Sequence, residues 1–220
     1  MANMTTLVCS DRDGTINKDE NYYLGSSPDW KNQIEILPGV VEGIKIINSL
    51  PDHEMFIATN QSGVALGKIN TSKMREVNQY IVNLLEEQGA KISGYIACPY
   101  VTSAYAEKKK ALGEKINNIW IQDSNPDIKP NPGMIATAAS RIGKTLEECV
   151  VYVIGDRVSD IQTAINAEGI GILIPSSKTN ELNDEKKMFE LKLEHPSRIY
   201  TFKNFLDAAK YIEIKHCIQQ

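Results

Sequence analysis

Short apolar runs of about four to seven residues alternate with stretches of helical spacing along most of this 220-residue chain. That alternation limits the fold more than any other feature, because strands separated by helices build βαβ units. The runs expected to form strands are Thr6–Cys9, Glu54–Thr59, Ile92–Cys98, Val150–Ile154 and Gly171–Ile174. Between them, Gly39–Leu50 carries apolar residues at Val40, Val41, Ile44, Ile47 and Leu50, with Pro38 suited to a first helical turn. Thr71–Gln88 has helical spacing at Met74, Val77, Ile81 and Leu84/Leu85, with Thr71 or Ser72 as the expected N-cap. Pro132–Ile142, Asp160–Glu168 and Phe205–Tyr211 read as further helices. The expectation is an α/β fold: a doubly wound parallel sheet with helices on both faces, made by residues 1–220 as one domain. Residues 99–128 read as irregular and 176–195 as a polar surface excursion. In sheets of this kind the ligand crevice lies beyond the carboxyl ends of the strands.

The polar residues of interest follow those ends. Asp11-Arg12-Asp13-Gly14-Thr15-Ile16-Asn17 comes directly after the first run. Two carboxylates two residues apart on a tight turn can share one small volume, and both ionised they repel unless a cation or a proton intervenes. A hard dication such as Mg²⁺ takes oxygen ligands of this kind. One aspartate can then attack phosphorus while the other handles the leaving-group proton. Alone, the pattern could equally be a turn. Thr59 and Asn60 end the second run, a hydroxyl and an amide suited to phosphate oxygens. Lys129, in Asp127-Ile128-Lys129-Pro130-Asn131-Pro132-Gly133, could pair with nucleophile and phosphate, and Asp156 is a third strand-end carboxylate that could complete a metal site or cap a helix.

Taken together, Asp11/Asp13, Thr59, Lys129 and Asp156 resemble, in order, the motifs of the haloacid dehalogenase (HAD) superfamily of phosphohydrolases. Asp11–Asn17, Leu37-Pro38-Gly39-Val40, Thr59-Asn60-Gln61-Ser62-Gly63-Val64 and Lys129–Met134 look like its histidinol-phosphate and heptose-bisphosphate phosphatase branch. The resemblance implies a HAD-like fold with a minimal cap and an aspartyl-phosphate on Asp11, with Asp13 as general acid/base. It implies Mg²⁺ on Asp11, the Asp13 carbonyl and Asp156, with Thr59 and Lys129 holding the phosphoryl group. Asn60 and Asn17 are expected at the substrate, a small phosphorylated metabolite such as a sugar phosphate or bisphosphate, or histidinol phosphate.

Two departures bear on that substrate. Residues 99–128 hold no His and no Cys, so with Cys98 alone nearby the zinc loop carried by many members of the branch cannot form. Ile128 stands where the heptose-type enzymes place an arginine. Residues 17–36, with Tyr22, Tyr23 and Trp30, read as a flap at the entrance, although any of these aromatics could instead pack in the core, and 99–128 as the opposite wall.

Composition sets the alternatives. Hydrophobic residues make up 42% and charged residues 24%, with a net charge of −4, which counts against nucleic acid and an anionic membrane as partners. That disfavours a polynucleotide 3′-phosphatase, which shares the Asp-x-Asp-Gly-Thr and Thr-Asn-Gln wording. Retention of every polar motif position argues against a catalytically silent binding protein. Lys108-Lys109-Lys110 reads as a solvated helix face, and Gly63–Ile69 lacks P-loop spacing. With four dispersed cysteines, no leader pattern and no run long enough to span a membrane, the chain is expected to be cytoplasmic and reduced. Its oligomeric state is not specified by the sequence.

Overall fold

The computed structural model describes residues 4–20, 23–176, 179 and 184–219. Six strands form one all-parallel sheet: β1 (Thr5–Ser10), β2 (His53–Asn60), β3 (Gly94–Cys98), β4 (Cys149–Gly155), β5 (Ile170–Leu173) and β6 (Ile199–Thr201). Their spatial order is β3-β2-β1-β4-β5-β6. The order reverses between β1 and β4, so the crevice opens at the carboxyl ends of those two strands. Seven α-helices accompany them among the described residues: α1 (Val40–Asn48), α2 (Thr71–Glu87), α3 (Ser103–Ala111), α4 (Gly133–Arg141), α5 (Val158–Asn166), α6 (Asp184–Glu194) and α7 (Phe205–Gln219).

Side chains alternate across the pleat, and the central strands use both faces. Val8, Ile57 and Ile154 pack with Ile44 of α1, Ile81 of α2 and Ala208 of α7. Leu7, Cys9 and Val153 point the other way, against Met134 and Ala138 of α4 and Ala164 of α5. Burial on both faces explains why the strand runs are almost continuously apolar. The expected doubly wound sheet is therefore the observed one.

Several local expectations are corrected. Residues 99–128 are not wholly irregular: α3 starts at Ser103, whose backbone N–H and hydroxyl both donate to Asp123 at 2.7 and 2.6 Å. The segment has a small core of its own, Ala65, Val101 and Ala106 with Trp120 against it. The cap of α2 is Asn70, which accepts from the Lys73 N–H at 2.8 Å, not Thr71 or Ser72. Helix α5 runs Val158–Asn166, beginning and ending two residues earlier than the expected Asp160–Glu168. The 176–195 stretch contains α6, whose Met188 and Leu191 pack with Leu173 and Ile199. Residues 177, 178 and 180–183 of that stretch lie outside the described residues, as does Tyr22 of the flap. Trp30 is not at the entrance; it is 3% exposed and meets Tyr80 of α2 edge-on at 5.3 Å.

Candidate active site

A cleft of about 670 Å³ opens at the switch point. Asp11, Asp13, Asn17, Thr59, Asn60 and Lys129 all line it, and Asp156 lies fully buried behind them. Strand β1 delivers Asp11, and its N–H donates to the Ile154 carbonyl of β4 at 2.7 Å, fixing the nucleophile candidate to the neighbouring strand. Asp156 directly follows strand β4. Lys129 is not at a strand end. It enters from the loop ahead of α4, 31 residues beyond β3 (129 less 98).

The Lys129 ammonium is the hub of the cluster. It donates to Asp11 Oδ1 and Asp160 Oδ1, both at 2.6 Å, with only 2% of its side chain exposed. Burial works against its charge, but the two carboxylates outweigh it and hold the ammonium protonated. Asp160 also accepts from the Arg157 N–H at 3.0 Å, so it caps α5 while orienting the lysine. The cap role open to Asp156 thus falls to Asp160. Gly155 makes room for this: a Cβ there would sit 2.3 Å from the Asp160 side chain.

Asp13 is held differently. Arg12, 1% exposed, grips it through Nη2 at 2.6 Å and Nε at 3.1 Å, and Gln61 and Asn17 donate to it at 2.9 and 3.2 Å. Arg12 is itself anchored on the buried Asn78 of α2 at 2.9 Å. Burial pushes the Asp13 carboxyl up, but Arg12 and the hydrogen bonds from Gln61 and Asn17 outweigh it and hold it below the usual range. Gln61 also donates to the Thr59 hydroxyl at 3.0 Å, linking the acid to the β2 end. Asn17 thus contacts Asp13 as well as the cleft, and Asn60 accepts the Lys129 N–H at 3.4 Å. Arg12, Gln61, Asn78 and Asp160 were not picked out as site residues from the sequence. The signal for Asp160 was only its place one helical turn after Asp156.

The donor set fits a hard cation. Asp11, Asp156 and Asp160 each place a carboxylate oxygen within 4.8 Å of the others. Asp156 Oδ2 accepts from Ser176 at 2.6 Å, whereas its Oδ1 is buried without a hydrogen-bond partner among the described residues. Arg157 Nε lies 3.9 Å from that oxygen, too far to hydrogen-bond it, and a buried carboxylate oxygen left without a hydrogen bond is costly unless a closer cation completes it. Gly14, at φ +88°, permits the close approach, since a Cβ there would lie 2.4 Å from Asp156 Oδ2. Both oxygens of Asp160 already accept hydrogen bonds, from Lys129 and Arg157, whereas Asp11 and Asp156 each commit one oxygen and keep the other to offer a metal.

An open parallel sheet whose switch point holds a lysine-bridged aspartate beside two further acids defines an α/β phosphohydrolase. Comparison with known proteins makes this specific. Residues 128–199 match the HAD-hydrolase-like family model. A D-glycero-beta-D-manno-heptose-1,7-bisphosphate 7-phosphatase from Rhodopseudomonas palustris is 30% identical over 160 residues, covering 73% of this chain and 77% of that protein. Its namesake from Mesorhizobium japonicum is 28% identical over 191 residues, 82% of this chain and 78% of that one. The crystal structure of D,D-heptose 1,7-bisphosphate phosphatase from B. bronchiseptica, complexed with magnesium and phosphate, shares the fold. It has a TM-score of 0.69 at 22% identity, over 96% of this chain and 99% of that one. The chain belongs to the HAD-like hydrolases and is a phosphatase related to the heptose-bisphosphate phosphatase branch. Among the described residues, no helix is long and apolar enough to cross a membrane.

Proposed function

We propose that this protein is a Mg²⁺-dependent hydrolase of small phosphorylated metabolites that works through an aspartyl-phosphate on Asp11. The observation that carries the reading is the Lys129 bridge, which holds Asp11 at the mouth of β1 with one oxygen committed and ties it to Asp160. In the first step an Asp11 oxygen bonds to phosphorus as the ester P–O bond breaks, and Asp13 gives its proton to the departing alkoxide. In the second, water attacks the same phosphorus, the bond to Asp11 breaks and Asp13 takes the water proton. Asp13 is ionised in the free protein, poised for the second step; a phosphate dianion arriving beside it raises its affinity for the proton needed in the first. Thr59 and Lys129 contact the phosphoryl oxygens. Asp11, Asp156 and the Asp13 carbonyl would hold Mg²⁺, which when bound would supply charge stabilisation for the transferring group.

Release of phosphate from sugar phosphates, sugar bisphosphates or histidinol phosphate, present with Mg²⁺ and lost on chelation, is the expected outcome of a substrate panel. Release from none of them by a folded, Mg²⁺-loaded protein would refute the reading.

Metal binding should also be visible without turnover. Burial first, and then Asp160, Asp156 and Asp13, raise Asp11 to about 8 despite Lys129. Burial and Asp160 raise Asp156 to about 6. An unfolded aspartate titrates near ~4, so as pH rises from there the unfolded chain releases its protons first and the metal-free fold loses stability up to about 8. A cation bound to the ionised pair offsets that loss. Mg²⁺ is therefore expected to raise Tm more at about pH 8 than at about pH 5.5, and equal shifts would contradict a carboxylate-held metal.

A further inference from the structure

Helix α3 carries Lys108, Lys109 and Lys110 in its last turn, and the first two line the same cleft as Asp11 and Lys129. The other cations of the cleft already have acidic partners. Arg12 pairs with Asp13, Lys18 with Glu20, Lys129 with Asp11 and Asp160, and Arg157 with Asp19. Lys108 and Lys109 have no ion pair among the described residues, although five acidic side chains line the cleft with them. Two unneutralised ammonium groups on a cleft wall attract an anion, and the phosphoryl end is already served by Lys129.

Their distance from that end is set by the fold. Tyr105 donates its hydroxyl to Ser62 Oγ at 3.0 Å, fastening α3 to the turn just after Thr59 and Asn60. Lys108 and Lys109 lie three and four residues beyond Tyr105, on the same helix face and about 5 Å further along the axis. Behind them, Ile128 is buried in the core beneath the cleft and offers no charge from the Lys129 side. The wall itself is rigidly founded, since the Ser103 and Asp123 contacts and the 99–128 core fix the start of α3.

We infer that Lys108 and Lys109 form a second anion subsite that selects substrates carrying another phosphate or carboxylate several ångströms from the scissile phosphate. This rests on the phosphatase reading above and assigns its specificity to α3. The test compares wild type with Lys108→Gln/Lys109→Gln on fructose 1,6-bisphosphate, fructose 6-phosphate and a 3′-phosphorylated oligonucleotide, with Mg²⁺. Wild type should prefer the bisphosphate to the monophosphate in kcat/KM. The double variant should lose about tenfold of that preference, through KM rather than kcat. Calorimetric binding of both sugar phosphates to Asp11→Asn, with and without the lysine changes, repeats the comparison without turnover. An unchanged preference, or lysine dependence confined to the oligonucleotide, would overturn the subsite while leaving the phosphatase reading intact. Absence of turnover together with lysine-dependent preferential binding of the bisphosphate would do the reverse.

Discussion

Asp11→Asn is expected to lower kcat by roughly four orders of magnitude or more while leaving the fold at least as stable. The amide matches the carboxylate in shape but does not attack phosphorus, and no neighbour is placed to substitute. Asp13 is gripped by Arg12 and Gln61, Asp160 is pinned between Lys129 and the Arg157 N–H, and Asp156 lies behind the cleft floor. The stability half follows from the electrostatics. Burial and the surrounding acids penalise a charged Asp11 enough to raise it to about 8, so folding at neutral pH requires a proton uptake that a neutral amide avoids. Steady-state kinetics beside thermal unfolding checks both halves. Full metal-dependent turnover in the variant would exclude Asp11 as nucleophile.

Lys129→Met should damage both stability and activity. It removes the only cation that, among the described residues, hydrogen-bonds both Asp11 and Asp160, leaving two carboxylates close to each other and to Asp156. Breaking a buried pair by deleting one partner costs about 3–5 kcal/mol. For a domain of this length that corresponds to a fall in Tm on the order of 10 °C. Loss of the phosphoryl contact should lower kcat/KM by about 10²–10³-fold. Mg²⁺ is expected to recover part of the lost Tm by neutralising the same acids, but not the lost rate. A variant with an unchanged Tm would show that the lysine is not the hub the geometry indicates.

The parts of this architecture legible in the sequence are those where one residue type has one physical use. Continuous β-branched runs such as Val150–Ile154 are buried on two faces, so they read as strands from composition alone. The acids after β1 and β4 stood out because charge directly following such runs has few structural uses. Other features left no comparable mark. Helix α3 buries only Ala106 and so has no apolar stripe, and β6 is three residues long. Asn70 was passed over because Thr71 and Ser72, next to it, are equally good caps by type. Asp160 sits inside a helical pattern where acids are common, and only the folded chain shows it holding Lys129. Trp30 reads as an entrance residue because the segment around it is polar, yet the helix it covers starts at Thr71, 41 residues on in sequence (71 less 30).

The placement of β1 between β2 and β4 has a consequence for biosynthesis. Ser10 is in register with Ile57 on one side and Ile154 on the other. In a chain emerging from the ribosome, the first edge can be matched early, whereas the second stays bare until more than two thirds of the 220 residues have been made. The Asp11 amide has its partner on that second edge, and Asp156, which has a carboxylate oxygen within 4.8 Å of one of Asp11's, directly follows the same late strand. A nascent or prematurely terminated chain therefore holds Asp11, the proposed nucleophile, without the strand that positions its backbone. The geometry around Asp11 is therefore completed only once β4 has been made, more than two thirds of the way along the chain.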